Sequence, residues 1–208
     1  MILRIEKKDL FDVDESKWIL GHCVSSDFVL GAGIAVEFVN RFNAREGLKR
    51  SYPDYNFVKD GPKTLMLMPS IVSSRRYLIA NIVSKDRVYE KPTYENLKKA
   101  LYDLKNEIAE LKEDVDKLES EVLRTLFSKM FSKVDAECRF MGSYWTHLAI
   151  PRIGCGIDGL EWTKVQDILI EVFGDTNMTI LVCDPFMDKS EEDVYDVLTL
   201  NQMMRSDI

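Results

Sequence analysis

Pro151-Arg152-Ile153-Gly154-Cys155-Gly156-Ile157-Asp158 is the most informative segment of the chain. Ahead of it, His147-Leu148-Ala149-Ile150 is short and apolar and reads as a buried strand. Gly154, Cys155 and Gly156 then leave the sheet with little side-chain bulk. Behind them, Trp162–Phe173 carries apolar residues at helical spacing and reads as an amphipathic helix. Strand, glycine loop and helix in that order let backbone N–H groups converge on a phosphate or diphosphate. Asp158 sits on the rim of the loop, where a carboxylate can act on whatever is bound.

A second loop of the same kind lies near the N-terminus. Trp18–Cys23 reads as a strand, and Gly31-Ala32-Gly33 precedes a helix that begins at Ile34. Further strands are expected at Ile2–Ile5, Thr64–Pro69, Tyr77–Val83, His147–Pro151 and Met178–Cys183. Helices are expected at Ile34–Lys49, from Tyr94 onward, at Trp162–Phe173 and at Glu191–Met203. Strands alternating with helices imply an α/β fold with a mixed, largely parallel sheet. Ligands in such folds lie at the carboxyl ends of strands. Both glycine loops fall there, and so does Ser84-Lys85.

At 208 residues, 46% hydrophobic and 30% charged, the chain can bury a core. Its net charge of −7 argues against non-specific binding to a nucleic-acid backbone. A local patch such as Arg75-Arg76 leaves room for a short strand. No apolar run is long enough to span a membrane, and the N-terminus has no signal-peptide core. The expected location is therefore cytoplasmic. The cysteines Cys23, Cys138, Cys155 and Cys183 have no metal-type spacing and read as reduced thiols. Neither a metal nor a cofactor is expected. Only His22 and His147 are present, and both read best as structural. Chemistry without histidine turns attention to lysine and aspartate.

Leu97, Leu101, Leu104, Ile108, Leu111, Val115, Leu118 and Val122 repeat at alternating spacings of four and three, with no glycine or proline from Thr93 to Phe140. A stripe this long suggests a coiled coil or a helical hairpin braced against the domain. Leu123 to Val134 would form the second limb. Self-association through this insertion is the lesser reading. The expected organisation is a domain over 1–185, with a helical insertion at about 102–145, and a helical tail over 186–208.

Taken together, Lys8-Asp9-Leu10-Phe11, His22-Cys23-Val24-Ser25, Gly31 to Val36, Lys91-Pro92-Thr93-Tyr94-Glu95-Asn96-Leu97 and Pro151–Asp158 with Trp162 resemble a macro domain. The nearest branch is that of the terminal ADP-ribose protein glycohydrolase and the DarG-type antitoxins. The pieces occur in the family's order and cover most of the chain outside the middle helices and the tail. The resemblance implies a three-layer α/β/α macro domain that binds ADP-ribose. It implies that Asp9 accepts the adenine amino group, with Leu10 beside it. Ser25, Gly31, Gly33, Ile34 and Ala35 would line the distal ribose and diphosphate. Pro151, Gly154, Cys155, Gly156 and Ile157 would form the second phosphate loop. Lys85 and Asp158 fall where this branch carries its catalytic lysine and aspartate. The first motif departs from the family, with Lys8-Asp9 where Gly-Asp is common, and the middle helices are longer than usual.

The leading functional reading is a hydrolase that removes ADP-ribose from a glutamate or aspartate ester of a protein. Lys85 would be the nucleophile and Asp158 the acid/base. A free lysine amine is almost wholly protonated at neutral pH, so the nucleophile must first lose a proton. A neighbouring carboxylate can take that proton, but it also favours an ion pair in an empty site. Alternatives are a nucleobase ADP-ribosyl hydrolase, an ADP-ribose-1″-phosphate phosphatase and a non-catalytic ADP-ribose reader. The expected partners are ADP-ribose or an ADP-ribosylated protein, with nucleic acid as the rival acceptor and no membrane.

Overall fold

The computed structural model describes residues 1–14, 17–67, 78–117 and 146–197. Its strands are β1 (Ile2–Glu6), β2 (Ile19–Ser25), β3 (Lys63–Leu67), β4 (Leu78–Lys85), β5 (His147–Ile150), β6 (Thr179–Cys183) and β7 (Asp193–Asp196). Its helices are α1 (Ile34–Phe42), α2 (Ala44–Ser51), α3 (Phe57–Asp60), α4 (Tyr94–Lys117) and α5 (Trp162–Phe173). The described strands form one sheet in the order β3-β4-β2-β5-β6-β1-β7. The five inner strands run parallel, and an antiparallel strand closes each edge. The sheet is thus mixed and largely parallel.

Parallel sheets need apolar cover on both faces, and the period of two along each strand supplies it. Ile19, Ala80, Ile82, Leu148, Ile150, Ile180 and Val182 point to one side, where α4 and α5 add Leu97, Leu101, Leu104, Val165, Leu169 and Phe173. Leu20, Ile79, Val83, Ala149 and Leu181 point to the other, where α1 and α2 add Phe38, Phe42 and Leu48. The result is three layers, α/β/α.

Pro92 ends the preceding loop, and Thr93 begins α4 by accepting the Asn96 amide on Oγ1 at 3.1 Å. Leu97, Leu101, Leu104 and Ile108 are buried against the sheet and α5. This part of the heptad stripe therefore braces the domain itself. Leu118, Val122, the proposed second limb, Cys138, Arg75-Arg76 and the end of the tail lie outside the described residues.

Two expectations are corrected. The helix expected over Ile34–Lys49 is two helices, because Asn43 adopts φ 51° and ends α1. Asparagine tolerates this left-handed conformation better than most side chains. The helix expected from Glu191 is instead a strand over Asp193–Asp196, antiparallel to β1. Its aspartates at both ends and largely exposed residues fit an edge strand, and it satisfies backbone groups that β1 would otherwise leave open.

Candidate active site

Three parallel strands deliver the site. β2 ends at Ser25, β4 at Lys85 and β5 at Ile150, all at the same edge of the sheet. The ladder between β2 and β4 slips at this end, with Val24 facing Val83 and Ser25 facing Lys85. A slip of this kind re-aims side chains at a strand terminus, and here it sets Lys85 beside the loop that leaves β2.

That loop is strained. Phe28 and Leu30 have φ of 50° and 44°, a left-handed conformation that costs a bulky residue ~1–3 kcal/mol. Both side chains are buried, and Arg45 holds the carbonyls from behind, with Nε on Val29 O at 2.9 Å and Nη2 on Leu30 O at 3.5 Å. Gly33 then starts α1 at φ 59°, ψ −150°, a conformation open only to glycine. No side chain caps α1, so its first amides are left for an anion.

The second loop folds on itself. Cys155 N donates to Arg152 O, Gly159 N to Gly156 O and Leu160 N to Gly154 O, at 2.9–3.1 Å. Gly154 has φ 71°, and a Cβ there would stand 2.7 Å from Leu160 Cδ1. The two loops face each other across a cavity of about 260 Å³. Of the residues expected at the site, Ser25, Gly31, Gly33, Ile34, Ala35, Lys85, Pro151, Gly154, Gly156, Ile157 and Asp158 line it.

Three expected residues do not line the cavity. Asp9 accepts the Phe11 amide at 2.9 Å and caps a short 3-10 turn, and Leu10 is buried in the core beneath it. Cys155 turns its thiol back to Ile153 O at 3.3 Å. Conversely, Val88 and Arg152 line the cavity without having been singled out. Arg152 pairs with Asp184 at 3.0 Å and lies 5.6 Å from the Trp162 ring centroid. The arginine stands inside the Pro151–Asp158 motif, so its position was the available signal. Nothing in the sequence around Val88 marks it.

Within this cavity Lys85 Nζ donates to Asp158 Oδ1 at 2.6 Å and to Val88 O at 3.3 Å. The two side chains are 11% and 17% exposed. Lys91 Nζ reaches Ile157 O and ties the two walls together. Asp27 accepts the Ser25 hydroxyl and the Val29 and Val88 amides. Burial opposes its charge, but these donors outweigh that and hold its carboxyl below the usual range.

The other candidate nucleophiles are quiet. Burial, and then the Asp158 charge, push the Cys23 thiol up to about 12. Burial pushes Cys155 up to about 11. His22 is wholly buried, stacked on Phe38 at 3.7 Å and bonded to Asn81 at 2.9 Å. Burial lowers its pKa to about 4, so it is a neutral core residue. A lysine beside a carboxylate, at the end of a cleft walled by main-chain amides, can attack an electrophilic sugar carbon and exchange the proton locally.

No family model matches the sequence. The chain is 32% identical over 176 residues to the ADP-ribose glycohydrolase OARD1 of Bos taurus, covering 85% of this chain and 87% of that protein. The OARD1 of Homo sapiens matches with the same identity and coverage. Among solved structures, the macrodomain of Thermus aquaticus DarG superposes with a TM-score of 0.59 at 18% identity, covering 88% of this chain and 98% of that one. The last likeness speaks for the fold.

Proposed function

The chain belongs to the macrodomain ADP-ribose glycohydrolase family, and from that membership we propose that it releases ADP-ribose from a carboxylate side chain of a modified protein. The diphosphate lies between the two glycine loops, and the distal ribose reaches Lys85 and Asp158. Lys85 passes its ammonium proton to Asp158, and the free amine attacks C1″. The bond from C1″ to the ester oxygen breaks, and the carboxylate leaves with the electron pair. Water then cleaves the lysine-bound sugar, with Asp158 acting as acid and base, and the amine is regenerated.

One observation carries this reading: the 2.6 Å contact of Lys85 with Asp158 at the cavity wall. A structural ion pair alone would serve equally well in the core. This one instead faces open volume between two loops shaped for backbone approach. An ester is the favoured acceptor because its carboxylate departs without needing a proton. The domain is taken to run through β7, which pairs with β1, and to include the part of α4 packed against the sheet, with the insertion between α4 and β5 as an accessory.

The test is a panel of ADP-ribosylated glutamate peptide, serine peptide, thymidine and ADP-ribose-1″-phosphate, scored for release. Release from the glutamate ester alone or fastest is the expected result. Release from thymidine alone assigns the nucleobase reaction, and release of phosphate alone assigns the phosphatase. Binding of ADP-ribose with no release anywhere makes the protein a reader.

A further inference from the structure

Asp27 makes a set of bonds that serve the cavity wall. Its Oδ1 accepts the Ser25 hydroxyl at 2.6 Å and the Val29 amide at 3.4 Å. Its Oδ2 crosses to the neighbouring loop and accepts the Val88 amide at 3.0 Å. The carbonyl of that same Val88 accepts from Lys85 Nζ at 3.3 Å. Ser26 adds a parallel seam. Its amide donates to Lys85 O at 3.1 Å, and its hydroxyl reaches Asp86 O at 2.8 Å and Asp86 Oδ1 at 2.6 Å. One side chain thus joins the exits of β2 and β4 where their ladder slips.

The placement has a chemical consequence. Lys85 has two acceptors, Asp158 and the Val88 carbonyl, and they fix where its amine points. Asp158 stands on the opposite loop, which Lys91 ties across at Ile157 O. The carbonyl is aimed by Val88, and Val88 is anchored at its amide by Asp27. Phe28, next to Asp27, and Leu30 keep their left-handed backbone with side chains buried in the core. Packing therefore keeps the carboxylate from drifting. A carboxylate suits the position because three donors converge on it. An asparagine would offer one carbonyl oxygen and turn an NH₂ group toward an N–H.

We infer that Asp27 is a positioning residue, which holds the Val88 segment so that the Lys85 amine stays aimed at the sugar carbon. The inference rests on the hydrolase reading above. Asp27→Asn keeps the shape of the side chain and removes the charge. Its expected effect is a fall in kcat of about ten- to a hundredfold on the ADP-ribosylated glutamate peptide, the scale seen when a reacting group is displaced. Its Kd for ADP-ribose, by calorimetry, is expected to stay within about threefold, since no phosphate or sugar contact is lost. Asp27→Ala behaves likewise with a larger fall. Ser25→Ala is the contrast, because Ser25 lines the cavity, and it raises Kd more than it lowers kcat. The inference is overturned if both Asp27 variants keep kcat within about twofold, or if Kd rises in step with the fall in kcat. It is also overturned if neither variant folds, since Asp27 would then be a fold residue. No release from any acceptor by the native protein would instead sink the hydrolase reading, and that outcome is read independently of Asp27.

Discussion

Removing Lys85 and Asp158 singly and together tests whether they act as one unit. At 2.6 Å and an effective dielectric of ~20, the gross attraction is about 6 kcal/mol. Desolvation of both charges opposes it, because the side chains are only 11% and 17% exposed. Lys85→Ala leaves the carboxylate without its cation, and Asp158→Ala leaves the ammonium, among the described residues, with the Val88 carbonyl. Each single change is expected to cost about 1–3 kcal/mol in urea unfolding, with the cavity's opening to water keeping the loss below that of a fully buried pair. The double change is expected to cost about 1–3 kcal/mol less than the sum of the singles. Turnover follows a harsher rule. If the amine attacks and the acid handles its proton, each single variant loses about a thousandfold or more, and the double variant is no worse than the worse single. Mass spectrometry of Asp158→Ala with substrate is expected to catch ADP-ribose linked to Lys85. The reasoning is refuted if Lys85→Ala keeps turnover within about tenfold of the native protein, or if the losses multiply as independent contributions do.

The remaining predictions concern the scaffold around that pair. His22 has its pKa lowered to about 4 by burial, so the unfolded chain binds a proton that the folded one refuses between about pH 6.5 and pH 4. Stability therefore falls as pH drops through that window, by about 3 kcal/mol at most. Urea unfolding at pH 7 and at pH 4.5 should show the drop, and replacing His22 with phenylalanine should flatten it. Gly154→Ala should cost about 1–3 kcal/mol, from the positive φ and the 2.7 Å approach to Leu160. It should also weaken ADP-ribose binding by calorimetry, and unchanged affinity would remove the second loop from the ligand site. Leu101→Ala empties a fully buried place between α4 and the sheet and should cost about 2–5 kcal/mol in the same unfolding assay. Cys23 and Cys155, with thiols near 12 and 11, should be alkylated at pH 8 at least about a hundredfold more slowly than a free thiol.

How much of this was legible in the sequence depended on what each residue's position requires. The strands announced themselves because burial on both faces demands apolar runs, as in Leu148–Ile150 and Ile180–Cys183. Gly33 and Gly154 were legible because their backbone angles admit little else. The break at Asn43 was not, since the apolar spacing continues across it and only a local dihedral marks the end of α1. β7 was missed because an edge strand of four residues, half of them aspartate, carries no hydrophobic period of its own. Its identity comes from its partner β1. Val88 and Asp27 escaped for a related reason: their roles lie in main-chain amides and carbonyls, and the spacing of residue types does not encode where a carbonyl points.

The same distinction explains why the site can be both rigid and reactive. A parallel sheet places three strand ends side by side, and those ends supply Ser25, Lys85 and Pro151. Rigidity at that edge comes from the buried faces of β2, β4 and β5, which no ligand needs to touch. Reactivity requires the opposite, a cation and an anion held close but short of full burial, so that substrate can come between them. Sinking the pair deeper would strengthen the Coulomb attraction but raise the desolvation cost of both charges and keep substrate from coming between them. Exposing it further would let water and salt screen the attraction and loosen the aim of the amine. Side chains about one-tenth and one-sixth exposed, over a cavity walled by glycine loops, lie between these limits. On the proposed mechanism, a ligand that fills the cavity and expels its water acts on that balance, and proton transfer from Lys85 would then follow occupancy of the site.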